Sequence, residues 1–503
     1  MTDNNASSPR WMSPSRWLLA GIVILMLAAA AWIRSRDIAA APLDVSHSEQ
    51  LSFILTARAY QAPSIAAEPG LPTCADYALL SPDAPVMQWL DAGLAGLFHA
   101  DLISTARSVS IMGWMLASLL LYLLVRRLSR PLTAVAVLAM MVFMPFSIQF
   151  SRVVLAGSWA MFFALLAIWQ LWRWMEAPSW GRAILTGVFG SIAVLMQAQW
   201  LYILLGGLIA AWRGSQSMKR DSIAQGLLMA AFLIALRLSA ALLIHPSSPL
   251  AAFLGLDGFA LGLSSLKQLV RLELRLESIV GVLGIGFAIL GTLLTQKGTR
   301  RSLLIGLWVG FLLMCLIFLK PISESIYSLY PVFLLAALSF IPLFELLLDA
   351  MGENKLGSLN LWALVAILII AAGLGSIDGR RLVKANPEQI PVDFWIGAGE
   401  KLGTQAVFLS NTNAVTLPLA VYGGVQPACI AASGDCSNKV DTIAEQMPQA
   451  ELYFVFFRND LEKILAANDR LALSEYHCDL GSGVMMIPLT SNHPACNATD
   501  GQP

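Results

Sequence analysis

The chain has 503 residues, of which 57% are hydrophobic and only 13% charged, and 32 basic residues balance 32 acidic ones for a formal net charge of zero. No soluble protein of this size carries so apolar a composition. A balanced chain without a basic stripe also gives no support to nucleic-acid binding. The class that remains is a polytopic membrane protein.

In chain order, apolar segments long enough to cross a bilayer recur about eleven times. The first is predicted at 17–33. It reads as a retained anchor, because no small-residue cleavage site with a soluble chain behind it follows. Further spans are predicted near 108–125, 132–150, 154–172, 183–197, 199–212, 224–244, 279–296, 302–319, 327–348 and 359–377. The segments 183–197 and 199–212 are short and nearly continuous, broken only by Gln197 and Gln199. They read either as two crossings or as one bent helix, and the second reading inverts everything after them.

Basic residues orient such a chain. Arg10 and Arg16 precede the first span. Arg126, Arg127, Arg130, Arg173, Arg182, Arg213, Lys219, Arg220, Lys297, Arg300 and Arg301 all fall on the same side if there are eleven spans with the N-terminus inside. Arg34, Arg36, Arg380 and Arg381 oppose the trend. The expected location is the cytoplasmic membrane of a bacterium, with the C-terminal domain periplasmic or extracellular. The membrane domain is then 1–377, with long outward loops at 34–107 and 245–278. The second loop contains GLSSLKQLVRLELRLES, where Lys267, Arg271 and Arg275 interleave with leucines. That pattern suits a helix lying in the membrane interface and equally a surface helix packed on the bundle.

Residues 378–503 change character. AVFLS (406–410) and LYFVFF (452–457) read as buried strands, 440–447 and 461–467 as helices, and the whole as a small α/β domain. It holds Cys429, Cys436, Cys478 and Cys496, four of the six cysteines. Such a group suits an oxidising compartment. Four cysteines allow three pairings; Cys429–Cys436 and Cys478–Cys496 are favoured, since Gly434 and Asp435 make a turn between the first two. Cys74 in the first loop is free or tied to the tail, and Cys315 lies within a span. No Cys-x-x-Cys spacing accompanies them, which argues against zinc.

The chemistry-bearing residues concentrate in the first loop, in RSRDIAAAPLDVSHSEQLSFILTARAY. Acids just beyond a span are costly unless solvated or used. Asp37, Asp44 and Glu49 are the candidates, with His47 among them. A helix starting near Ser46 or Ser48 explains Glu49 by compensation of the helix dipole and Asp44 less well. The functional alternative is a general base or metal ligand at the mouth of a membrane cavity. Arg237, inside the span 224–244, must face the bundle or snorkel outward beside His245.

The stretch SPDAPVMQWLDAGLAGLFHADLISTARSVSIMGWMLASLLLYLLVRRLSRPLTAVAVLAMMVFMPFSIQFSR resembles the same region of membrane-embedded GT-C glycosyltransferases, above all the dolichyl-phosphate-mannose–protein mannosyltransferase-like group and its bacterial relatives. The matching residues are Pro82, Trp89–Leu90, Arg107, Arg126–Leu128, Pro145–Phe146 and Ser151–Arg152, and the resemblance runs over about 15–215; Tyr330–Pro331 and the outward tail fit it beyond. The family's Asp-Glu pair aligns with Ser48–Glu49, Asp44 resembles the acid of a variant motif, Ser81 stands where a His is usual, and no acid follows Ser151–Arg152.

The resemblance implies a GT-C-like helical membrane domain with a small C-terminal α/β domain. It also implies a sugar donor on a polyprenyl phosphate, drawn from the membrane lipids, and transfer of the hexose or pentose at the outer face. The acceptor is a glycan, a protein or a lipid. An attacking hydroxyl needs a base, for which Asp44 or Glu49 is available. A departing lipid phosphate needs cations, which Arg58, Arg152, Lys267, Arg271, Arg275 and Lys320, or a divalent metal such as Mg or Mn, would supply. The alternatives are a non-catalytic member of an envelope-glycan assembly and, with no internal repeat to support it, a transporter or flippase.

Overall fold

The computed structural model describes residues 16–36, 38–39, 47–61, 83–214, 220–244, 282–296, 298–317, 329–352, 390–403, 406–429, 436–447, 451–467 and 478–489. A mostly helical bundle carries a small sheet domain at its C-terminal end. The bundle helices are α1 (Arg16–Ser35), α2 (His47–Gln61), α3 (Val86–Phe98), α4 (Leu102–Leu128), α5 (Pro131–Phe143), α6 (Pro145–Phe150), α7 (Gly157–Glu176), α8 (Trp180–Met196), α9 (Gln199–Gly214), α10 (Arg220–Ile244), α11 (Val282–Leu294), α12 (Thr299–Ile317), α13 (Tyr330–Ser339) and α14 (Ile341–Gly352).

Among the described residues, five stretches are helical, long and apolar enough to cross a membrane: Trp17–Ser35, Leu102–Leu128, Asp221–Ile244, Thr299–Leu316 and Tyr330–Asp349. Pro131–Phe143, Trp180–Met196, Gln199–Trp212 and Gly284–Leu294 are apolar but shorter. The expected segments at 245–278 and 359–377 lie outside the described residues. Large apolar side chains such as Ile24, Leu25, Leu227, Leu243, Leu312 and Leu316 face outward from these helices, as a lipid-facing surface requires.

The predicted span 132–150 is two helices, not one. Pro145 opens α6 and Met144 before it is extended, with ψ 145°. The ring of a proline disfavours the helical conformation in the preceding residue, so α5 ends at Phe143. The ambiguous pair 183–197 and 199–212 resolves into two helices that run in opposite directions. Gln197 is extended, with φ −157° and ψ 109°, and the backbone N–H of Ala84 in the first loop bonds to the carbonyl of Leu195 at 3.2 Å. The other end of α8 bonds to the end of α7, where the Arg182 guanidinium donates to the Arg173 carbonyl at 2.8 Å.

Helix α9 then packs against α12 along a seam of glycines. A Cβ placed on Gly206 would collide with the carbonyl oxygen of Gly306, and one on Gly310 with that of Tyr202. The seam pairs Tyr202 with Gly310 and Ala210 with Gly306, so α9 and α12 are antiparallel. Small residues that let two backbones touch are the common means of joining helices in lipid.

Aromatic side chains tie the centre. The Trp114 ring of α4 lies 5.9 Å from that of Tyr330 and 5.8 Å from that of Phe333. The Trp114 Nε1–H donates to the Met141 carbonyl at 2.9 Å, and the Tyr330 hydroxyl to the Phe150 carbonyl at 2.6 Å. Each large apolar ring thus also satisfies its one polar atom.

The tail comprises α15 (Val392–Leu402), β1 (Ala406–Leu409), α16 (Asn413–Val421), β2 (Gln426–Pro427), α17 (Val440–Gln446), β3 (Glu451–Phe457), α18 (Leu461–Ala467), β4 (Cys478–Gly481) and β5 (Val484–Pro488). The sheet order is β2-β1-β3-β5-β4. Strands β2, β1 and β3 are parallel, while β5 pairs antiparallel with both β3 and β4. Ser482 (φ 51°) and Gly483 (φ 76°) form the two-residue turn between β4 and β5; positive φ at both positions gives the twist that a tight hairpin needs. The two expected strands and two expected helices are present; β2, the β4–β5 hairpin, α15 and α16 were not expected. The Cys429–Cys436 disulfide is formed. Cys478 is also disulfide-bonded, to a partner outside the described residues, where Cys74 and Cys496 both lie. Cys315 is reduced and buried.

Candidate active site

The end of the bundle that carries the first loop gathers an unusual number of buried polar groups. Arg34, at the last turn of α1, is fully buried. Its Nε donates to Ser151 Oγ at 2.6 Å, Nη1 to the Ala30 carbonyl at 3.1 Å and Nη2 to the Val142 carbonyl at 2.9 Å. Its role is to close the junction of α1, α5 and the turn after α6. A guanidinium buried this way does not face solvent, which accounts for one of the residues that opposed the orientation trend.

Two of the arginines that carried the family resemblance grip the backbone leading away from α1. Arg152 Nη2 donates to the Arg36 carbonyl at 2.6 Å, and Arg107 Nη1 to the Ile38 carbonyl at 3.1 Å. Both side chains are buried. They fix the course of the chain just before Asp44, which itself lies outside the described residues.

Helix α2 follows. Its Gln50 is buried, and Gln50 Oε1 accepts from the Val154 backbone N–H at 3.0 Å, which anchors α2 to the non-helical turn after α6. Glu49, next to it, is half-buried in the first turn, where its Oε2 accepts from Ser48 Oγ at 3.1 Å. It is not the N-cap, so the capping explanation covers dipole compensation only. Further along, Arg58 Nη1 donates to the Ala420 and Val421 carbonyls of α16, at 3.2 and 2.7 Å. Burial lowers the Arg58 pKa, with Asp101 and Tyr422 raising it in part. The tail is therefore docked on α2, and His47 packs near Tyr422 with ring centroids 6.3 Å apart.

Two groups escaped the sequence reading. Asp83 Oδ1 lies 3.3 Å from Arg237 Nη1 and also accepts from the Ala198 backbone N–H at 3.0 Å. Arg237 is 2% exposed: it faces the bundle and does not snorkel. The second is Asp91 on α3. That helix exposes Val86, Trp89, Leu97 and Phe98 and buries Met87, Gln88, Asp91, Ala92 and Ala95, the two-faced pattern of a helix lying in the interface. The carboxyl of Asp91 is 2% exposed, and its Oδ1 accepts no hydrogen bond. Burial pushes its pKa up from an ordinary 3.8 to about 7. A helical wheel does not reveal it, because Val86, Trp89, Leu97 and Phe98 make the exposed face at least as apolar as the buried stripe of Met87, Asp91 and Ala95.

A carboxyl with a raised pKa in the folded state weakens the fold wherever the unfolded chain can ionise it. The penalty is absent below about pH 4 and grows as the pH rises towards the folded pKa of about 7. Replacing Asp91 with Asn should therefore stabilise detergent-solubilised protein at pH 8 by up to about 4 kcal/mol and change nothing near pH 4. Thermal unfolding at several pH values measures this; a gain that is the same at every pH would rule out titration as its source.

Of the expected phosphate-binding cations, Arg58 and Arg152 hold backbone carbonyls. Lys267, Arg271, Arg275 and Lys320 lie outside the described residues, as does Cys496. Among the described residues, no group of three His, Cys, Asp or Glu side chains could hold a metal ion, so no step is assigned to Mg or Mn here.

Residues 75–257 match the family model described as dolichyl-phosphate-mannose-protein mannosyltransferase. Among solved structures, ArnT from Cupriavidus metallidurans in the apo state is 10% identical, with a TM-score of 0.58 over 94% of this chain and 98% of that one. The same protein bound to undecaprenyl phosphate is 11% identical, with a TM-score of 0.58 over 94% and 99%. The Archaeoglobus fulgidus oligosaccharyltransferase, in a complex with Zn and sulfate, is 13% identical, with a TM-score of 0.58 over 91% of this chain and 71% of that one. No curated protein matches by sequence. At such identities the likeness is one of fold, and it extends over nearly the whole chain. The protein shares the fold of ArnT and of the oligosaccharyltransferase, and its residues 75–257 are similar to the dolichyl-phosphate-mannose-protein mannosyltransferase family.

Proposed function

We propose that the protein transfers a sugar from a polyprenyl-phosphate donor to an acceptor at the membrane face that carries the first loop and the tail. The observation that carries this reading is the fold shared end to end with a protein whose structure holds undecaprenyl phosphate. The Cys429–Cys436 disulfide supports an oxidising, extracytoplasmic side for that face, and the basic-residue pattern supports an N-terminus inside a bacterial cytoplasmic membrane.

In the proposed reaction, the acceptor hydroxyl gives its proton to Asp44 or Glu49 as its oxygen attacks the anomeric carbon, and the polyprenyl phosphate leaves with the bonding electron pair. Arg107 and Arg152 position the base by holding the chain that leads to it. Cations at Lys267, Arg271, Arg275 and Lys320 meet the leaving phosphate. A divalent metal would supply the same charge.

The test uses full-length protein in liposomes with membrane extract as acceptor and a panel of polyprenyl-phosphate hexoses and pentoses. Mass spectrometry should show released polyprenyl phosphate for one donor. Intact donor across the whole panel would leave a non-catalytic role in envelope-glycan assembly as the better reading, consistent with the missing acid after Ser151–Arg152.

A further inference from the structure

A large cavity lies at the other end of the bundle. Helix α4 begins at Leu102 beside the first loop and ends at Leu128 on the wall of this cavity; at 1.5 Å per residue the two ends are about 40 Å apart. The cavity holds about 760 Å³, within the usual range of about 300–1,000 Å³ for small-molecule sites.

Its walls and its rim differ in chemistry. The walls are aliphatic, with Leu124, Ile168, Leu303, Leu307 and Leu338 among them, and the rim carries Arg300, Glu345 and Asp349. Both rim acids already have partners. Asp349 pairs with Arg130 at 2.5 Å, and Glu345 accepts from Ser129 Oγ at 2.6 Å. The cations are arranged otherwise. Arg127 and Arg300 both sit over the ring of Trp172, a wall residue, at 5.6 and 5.8 Å from its centroid. Neither makes an ion pair among the described residues.

A leucine-lined cavity with two guanidiniums over Trp172 on one side, where Asp349 is paired with Arg130 and Glu345 is hydrogen-bonded to Ser129, is complementary to one kind of occupant. We propose that this cavity binds an anionic glycerophospholipid, with its phosphate between Arg127 and Arg300 and an acyl chain along the leucine wall. Attraction to the Trp172 ring favours this placement of both guanidiniums, and each basic side chain adds attraction for an anionic headgroup. The site is remote from the first loop, so it is not the place where the sugar donor reacts in the proposed function. It stands whether or not that reading does.

Native mass spectrometry of the full chain, delipidated in mild detergent and titrated with phosphatidylglycerol or phosphatidylethanolamine, tests it. Phosphatidylglycerol should bind the wild type at one site. The double change Arg127→Ala and Arg300→Ala should weaken it by roughly tenfold or more. Leu304→Trp, which fills a partly open wall position, should abolish it while the protein still unfolds cooperatively. Equal affinity for the two lipids, unchanged binding in both variants, or displacement of phosphatidylglycerol only by polyprenyl phosphate would each overturn the assignment.

Discussion

Replacing Arg237 with Met should destabilise the protein by roughly 3–5 kcal/mol, the usual consequence of removing one partner of a buried ion pair. Arg237 is 2% exposed and meets Asp83, whose side chain is 14% exposed. With the guanidinium gone, Asp83 keeps the Ala198 N–H but loses the charge of Arg237 in a poorly solvated place. The loss falls on a junction as well as a pair, because Asp83 and Ala84 attach the first loop to the α8–α9 break. Unfolding in detergent should show the full effect for Arg237→Met and a smaller one for the double change with Asp83→Asn, which removes the stranded charge. If the double variant were as unstable as the sum of the two single ones, the two side chains would not act as a pair.

The second large effect concerns rate. Asp44→Asn should lower sugar transfer by about 10²–10⁴-fold, the range for loss of a general base, while expression and donor binding stay near wild type. Glu49→Gln should have the smaller effect, since Glu49 sits in the first turn of α2, bonded to Ser48, and answers the helix dipole there. The distinction is readable in the kinetics: loss of a base lowers kcat, whereas a shifted helix start changes KM and stability as well. Full activity in both variants would make the two acids structural and move the search to Asp91, the buried acid of α3.

Much of the architecture was legible because the bilayer imposes it. Apolar runs marked the bundle, and the tail's strands showed as short buried runs at 406–410 and 452–457. The errors were local. The run 132–150 looked continuous because hydropathy does not register what Pro145 does to Met144. The α8–α9 pair was ambiguous because the direction of α9 is set by its glycine contacts with α12, about a hundred residues away in sequence. At the candidate site, Arg152 and Arg107 were recognisable by their place in a motif, but their targets were not. They bind main-chain carbonyls of Arg36 and Ile38, and a carbonyl has no letter in a sequence. Asp91, and Asp83 as the partner of Arg237, were missed for a related reason: burial is a property of the assembled helices, and a single acid in an apolar helix looks the same on either face.

The clasp between Arg58 and α16 has a consequence for anyone who exchanges parts between such proteins. One fifteen-residue helix bears Glu49 near its start and, about two and a half turns later, the guanidinium that grips Ala420 and Val421. It is a crossbar between the C-terminal module and the helix start where Glu49 stands. A chimera cut at the end of the last membrane helix would separate the two halves of this joint, leaving a foreign α16 against a native Arg58. The natural unit of exchange is the C-terminal domain together with α2, which lie more than three hundred residues apart in the sequence yet meet as neighbouring parts of one surface.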